Sequence, residues 1–462
     1  MKAKVERQIT KMMIPFAYNA PYQELTKDLE EEVGRETDGK VWRVKNISGK
    51  RLFHHIDRLI QSDPGGNQSI GSRFVLTQNG CAEYDLPNKN QIISFGHKDY
   101  EYELYIHEVS LILFETQIGF LTFSIAYPRG QDLSDLIQNN YYVKQFLQNS
   151  ERFVRKLRKN NQYPVQCNLG RCMHQLFKQV QVATLFESRY GSTKNVLVYN
   201  AITLEEMDQP SDHREFMKSL YLLSRTYHEV HNPPRIELHE DEETMRIFQN
   251  SYWRVSVEGI AHVCHLTNNK DSNEFLLGEN QQNLNSNYFY MYVLTLHQFY
   301  SLQYFSILAS HLPHQLDGQE KQAFVEVREL KKRMVFFTLR CSFKQVSRIT
   351  HIARLYEMVR RSYRIEELMD ELHLELDAMT TMLEMEESKR RLKLEQMVLI
   401  FSFFYIMIST IADGWDIVKN TLAFQVMGNY WIAWIEVGLL LGVMVAGVWS
   451  ILSYYVREKK RR

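Results

Sequence analysis

The chain has 462 residues, enough for one large or two modest hydrophobic cores. Its 55 basic and 55 acidic side chains cancel, so no bulk attraction to nucleic acid is expected. Five scattered cysteines (Cys81, Cys167, Cys172, Cys264 and Cys341) are an odd number in a large protein, which favours reduced thiols over a disulfide framework. Residues 1–10 are charged, and the apolar patch 12–17 is too short for a leader, so the N-terminal part is expected to stay in the cytosol.

In chain order, residues 1–285 read as a mixed α/β domain. Residues 50–61 carry a helical apolar spacing, 62–73 (SDPGGNQSIGSR) form a turn-rich loop, and a strand begins at Phe74. Residues 100–127 alternate apolar and polar as two paired strands, with the hairpin turn at 116–119. A helix over 132–157 follows, with Ser134 as its cap. A second unit has a strand at 195–199, a helix over 212–227 and strands around 252–266. The polar stretch 267–285 reads as a mobile linker.

Beyond it the pattern is helical. Residues 287–312 are rich in Tyr, Phe and Leu, but His297, Gln298 and Gln303 interrupt them. A buried packing helix accounts for this better than a membrane span. A charged helix over 319–345 completes a helical pair (286–347), with Pro313 and Gly318 marking the break. From Arg348 neither proline nor glycine occurs before Gly414, and apolar residues keep helical spacing from Ile349 to Leu383. One helix of roughly 95 Å is therefore expected from a stalk (348–396) through a first span (397–412).

The first span, MVLIFSFFYIMISTIA, has no charge and covers roughly 24 Å, which Leu392 and Leu394 can extend while Lys393 snorkels. A second span, 430–456, is anchored by Tyr430, Trp431, Trp434, Tyr454 and Tyr455. The outer loop between them, 413–429, is short, so the spans are antiparallel neighbours. Basic residues precede the first span (Lys389, Arg390, Arg391) and fill the tail 457–462, whereas Lys419 alone is basic between the spans. This asymmetry puts both termini in the cytosol and the chain in the inner (cytoplasmic) membrane as a multi-pass protein.

This order of elements (α/β domain, helical pair, long helix, span, short outer loop, span, basic tail) resembles the CorA metal-transporter superfamily, most specifically over 348–462. The resemblance implies a homopentameric funnel with the first span innermost, a lipid-embedded metal-ion channel. The family's Gly-Met-Asn signature is replaced by Gly414, Trp415 and Asp416. A ring of aspartates favours cations without favouring Mg²⁺, so magnesium selectivity does not carry over. Ser402, Tyr405, Ser409 and Asp416 fall on one helical face with Asp413 at its edge, the candidate pore lining. Serines in a span can also bond the carbonyl of the preceding turn. Glu436 is an acid inside the second span or at its headgroup boundary, and Gly438 and Gly442 form a small-xxx-small pair.

Other signals carry less. Cys167, Cys172 and His174 have zinc-ligand residue types without a second pair, and the loop 62–73 lacks Walker spacing. Basic residues at 152–159 and acidic ones from Glu366 to Asp377 read as solvated helix faces, although the acidic run resembles the divalent-cation sites that regulate the family. No hydrolase triad, metalloprotease motif or dinucleotide fingerprint is present, so catalysis is not expected. CorA-like proteins lacking the signature accompany type III CRISPR systems as antiviral membrane effectors. The resemblance to that group implies control by a nucleotide second messenger, an S-adenosylmethionine–AMP conjugate. A divalent-cation transporter with a diverged filter and a non-conducting membrane anchor are the alternatives.

Overall fold

The computed structural model describes residues 3–34, 39–47, 49–60, 69–87, 91–97, 100–157, 165–187, 193–206, 213–231, 233, 242–316, 320–423, 438 and 442. The chain divides into two compact units, Met1–Leu376 and Asp377–Arg462. Among the described residues the first unit holds eleven strands: β1 (Val5–Tyr18), β2 (Trp42–Val44), β3 (Gly71–Leu76), β4 (Ile93–His97), β5 (Tyr100–Phe114), β6 (Ile118–Ala126), β7 (Val182–Leu185), β8 (Leu197–Glu206), β9 (Thr244–Phe248), β10 (Ser251–Ser256) and β11 (Gly259–Leu266). They form one sheet in the order β2-β3-β5-β6-β1-β8-β11-β10-β9, with β4 on β5 and β7 on β1.

The helices are α1 (Tyr22–Glu31), α2 (His54–Asp57), α3 (Gln78–Glu83), α4 (Leu133–Leu157), α5 (Val165–Gln179), α6 (His213–Arg225), α7 (Lys270–Leu277), α8 (Glu279–Asn283), α9 (Phe289–Leu316), α10 (Glu320–Arg340), α11 (Thr350–Ser362) and α12 (Ile365–Ala423). A π turn, Leu284–Tyr288, joins α8 to α9. The mixed α/β domain and the long helix thus follow the sequence reading. The two expected α/β units, however, are halves of a single sheet, joined by a strand the sequence reading had not assigned.

That strand is β1. It pairs with β6 along one edge and with β8 and then β7 along the other. Its inner half is buried on both faces, so it reads as an apolar run without alternation. Pro15 falls where β8 pairing has ended at Met13 and β7 pairing begins at Phe16, a point where a missing N–H is tolerated. Successive side chains of β1 enter opposite layers. Met12, Ile14, Phe16 and Tyr18 join the core under α4, α5 and α6, with Phe16 and Phe177 rings 5.5 Å apart. A buried polar ladder pins that layer: Thr10 and Asn140 donate to Asn200 Oδ1, and Asn200 donates to the Leu223 carbonyl. The opposite face is covered by α9, whose His297 stacks on Phe114 at 3.9 Å and bonds Thr116.

The expected buried helix over 287–312 is α9, and Pro313 lies inside its last turn. Other expectations change. The apolar spacing over 50–61 yields only the four-residue α2 among the described residues. α4 begins at Leu133, so Ser134 lies inside its first turn and is not the cap. The stretch 267–285 is no mobile linker, because Asn269 caps α7 by accepting from the Ser272 N–H, and α8 follows at once. The single helix expected from Arg348 is two helices. Tyr363 ends α11 and Arg364 turns left-handed at φ 50° before α12 starts. Apolar spacing continues across the break because both helices bury a face: Ile352, Leu355, Tyr356 and Val359 from α11, then Ile365, Leu372 and Leu376 from α12.

A residue with a Cβ in the left-handed region costs roughly 1–2 kcal/mol. Replacing Arg364 by glycine removes that cost against a smaller entropic loss, and the exposed pair Arg364–Glu367 contributes little. Arg364→Gly is expected to raise stability by up to about 1 kcal/mol, and Arg364→Val to lower it by about 1–2 kcal/mol. Thermal melts check this; equal melting temperatures would mean the break does not depend on that conformation.

Candidate functional site

The structure places the expected pore residues on α12. This helix has 59 residues, about 88 Å at 1.5 Å per residue. Its segment Ile365–Ser409 is long and apolar enough to cross a membrane, and the apolar window is unburied among the described residues. Ser402, Tyr405 and Ser409 are exposed. The helix continues through Asp413, Gly414, Trp415 and Asp416 as far as Ala423, so the expected outer loop does not begin at residue 413. The same unbroken helix carries Asp413 and Asp416 in its sequence. The second span and Glu436 lie outside the described residues, apart from the helical Gly438 and Gly442.

The lower end of α12 is tied into the α/β domain. Buried Arg360 donates to Gln298 Oε1 and to the Phe343 carbonyl, both at 2.9 Å, and pairs with Glu366 at 3.4 Å. The Tyr363 hydroxyl lies 3.2 Å from that of Tyr292, and its ring 4.8 Å from Phe299. The acidic run is accordingly split. Glu366 and Glu367 are spoken for by Arg360 and Arg364, and Asp370 and Glu371 are exposed. No group of three metal-ligating side chains occurs among the described residues. Cys167, Cys172 and His174 share α5, but Cys172 is buried with its thiol pushed well up by burial, and His174 is exposed two residues on. Those two point to different faces and do not converge.

A site the sequence reading missed lies on the α9 face of the sheet. Register builds it. Lys11 of β1 pairs with Ser124 of β6, which pairs with Glu108 of β5, so Lys11 and Glu108 flank a small side chain in one row. Arg73 comes from β3, next to β5, and Lys45 follows β2, its N–H bonded to the Arg73 carbonyl. Glu108 accepts from Arg73 and, at 2.8 Å, from Lys45. Arg73 is 8% exposed, and its Nε has no hydrogen-bond partner among the described residues. Lys11 is 4% exposed, its ammonium 4.2 Å from the centre of the Phe289 ring at the start of α9.

These groups line a cleft of about 340 Å³, closed on one side by Asn285 and Ser286 of the π turn. A second cleft of about 590 Å³, with Tyr105, Arg7 and Arg129 on its walls, adjoins it at Gln8 and His107. His107 is the extra residue of a β-bulge, since the β5–β6 register slips between Ile106 and Glu108.

Three cations therefore face one carboxylate. Burial, together with the Arg73 and Lys45 charges, holds the Lys11 ammonium down to about 7 despite the pull of Glu108. Burial pushes Glu108 upward, but Arg73, Lys45 and Lys11 outweigh it and keep the carboxyl below its usual range. The site can attract an anion and can take up a proton as it does so. No known family, curated protein or solved structure matches the chain.

The Lys11 position has a measurable signature without any ligand. The unfolded chain keeps this ammonium charged up to about 10.5, the folded chain up to about 7. Between those values the unfolded state binds more protons, so stability rises with pH. From pH 7 to about 9 the wild type is expected to gain on the order of 1–2 kcal/mol relative to Lys11→Met. Melting curves of both proteins at the two pH values read this difference. Parallel shifts would mean Lys11 holds an ordinary charge state.

Proposed function

We propose that this protein is an oligomeric membrane channel of CorA-like architecture, gated by a small ligand bound to its α/β domain. One observation carries the reading: α12 begins among buried residues of that domain and continues unbroken into an exposed apolar stretch bearing a polar stripe. Exposed Val398, Leu399, Phe401 and Ile406 need lipid or protein cover, and a single helix cannot shield Ser402 and Ser409 from hydrocarbon. Self-association around that stripe, five-fold by the resemblance, satisfies both needs, with 430–456 as an outer second span and both termini in the cytosol. Asp416 then forms the mouth and concentrates cations.

Gating has a physical route. Phe289 of α9 covers Lys11, while one turn and three turns further along the same helix Tyr292 and Phe299 hold Tyr363 at the root of α12. A ligand shifts the channel only by binding one state more tightly; about 5.5 kcal/mol moves a 1:99 population to 99:1, shared here among identical subunits. With the Gly-Met-Asn signature replaced, the form of this function we favour is an antiviral effector answering a nucleotide second messenger, rather than housekeeping magnesium transport.

Purified protein in planar bilayers tests the proposal. Cation current is expected, and Asp416→Asn should lower it about twofold or more at low salt, with the difference fading near 1 M where screening lengths fall to about 3 Å. Native mass spectrometry should give a closed oligomer. A monomer, or silence under every ligand tried, would leave the protein a membrane anchor.

A further inference from the structure

The paired clefts of the α/β domain carry more than a general affinity for anions. Buried cations are rare without matching carboxylates, because desolvation is repaid only by partners. Here Lys11 and Arg73 are both more than nine-tenths buried. Glu108, in the row of Lys11, is the acid both face, and it is already shared between Arg73 and Lys45. The Arg73 Nε is unpartnered among the described residues, and Lys11 makes a ring contact in place of an ion pair. Two ammonium groups and a guanidinium around one cleft suit a tetrahedral polyanion better than a single carboxylate, which one arginine fork can satisfy. A phosphate alone fills little of about 340 Å³, given that a water occupies about 30 Å³. The remaining space opens past His107 towards Tyr105, whose rings lie 6.3 Å apart and nearly parallel.

We propose that this cleft binds a phosphate ester of nucleotide size, its phosphate held by Lys11, Lys45 and Arg73 and its organic part lying along His107 and Tyr105. The assignment gives the sensing role proposed above its site and rests on that role only for what binding does afterwards. The phosphate supplies the anionic partner that Lys11 lacks among the described residues, so binding draws a proton onto it. Arg73, Lys45, Glu108 and His107 are the other charged or titratable groups facing this position, with Arg7 and Arg129 in the adjoining cleft.

Calorimetry on the full-length protein in detergent, with AMP, ribose 5-phosphate, inorganic phosphate and adenosine as probes, tests the site. AMP should bind more tightly than ribose 5-phosphate or phosphate, and adenosine should not bind. Lys11→Met and the half-exposed Lys45→Gln should each weaken AMP about tenfold. Glu108→Gln should tighten it several-fold, about threefold or more, an effect a folding defect does not produce. Wild-type affinity should fall from pH 7 to about 9, where the phosphate is already a dianion, and the fall should vanish in Lys11→Met. The proposal is overturned if adenosine binds as well as AMP, if none of the phosphate probes binds, or if both lysine variants bind AMP as the wild type does. Displacement of AMP by micellar phosphatidic acid but not by ribose 5-phosphate would also overturn it, by making a lipid headgroup the ligand. AMP binding without any effect on bilayer current would keep the site and remove the gating role.

Discussion

A strand buried on both faces and hydrogen-bonded along both edges cannot slip by one residue without exchanging its core side chains for its opposite set. β1 is held in this way, and its register decides the rest of the α/β domain. With Met13 opposite Leu197 and Thr122, the even-numbered side chains fill the layer under α4, α5 and α6. The same register sets Lys11 in the row of Ser124 and Glu108 beneath α9. Core and cleft are thus two faces of one constraint. A slip that ruined the first would also place Thr10 or Met12, neither of them charged, where the ammonium now stands.

The parts of this fold that were legible in the sequence are those whose signal is local. The β5–β6 hairpin shows its alternation and its turn, and Gln117, at φ 66°, sits in the turn where the reading placed it. α9 shows an aromatic run too polar for lipid and too apolar for a surface. β1 was opaque because burial on both faces erases alternation, leaving Met12 and Met13 adjacent and indistinguishable from a short apolar patch. The break at Arg364 was hidden for a related reason. Helical spacing reports that a face is buried, and it reports the same thing when two successive helices each bury one. The unusual backbone of a single arginine leaves no trace in that pattern.

The cleft was illegible in a stronger sense. Lys11, Lys45, Arg73 and Glu108 come from four segments, each beside ordinary strand residues, and nothing in any one segment distinguishes them from surface charge. Only the sheet order, which sets β3 and β5 beside β6 and β1, brings them to one place. The candidate pore residues are the opposite case. They lie on one helix, α12, so spacing alone predicts a common arc.

The π turn between α8 and α9 bears on how such a domain can move. It holds a residue more than the α turn it replaces, and Asn285 and Ser286 at the cleft wall belong to it. Returning that residue to regular α geometry would screw one flanking helix by about 100° and 1.5 Å against the other. α9 cannot take up that rotation, since Tyr290, Tyr292, Thr295, Leu296, His297 and Tyr300 are buried around its circumference. The slack therefore belongs to α8, a five-residue segment preceded by Gly278 and held to the sheet by the Gln281–Thr203 hydrogen bond. The wall of the cleft thus has a fixed jaw and a loose one, and the loose one is the shorter.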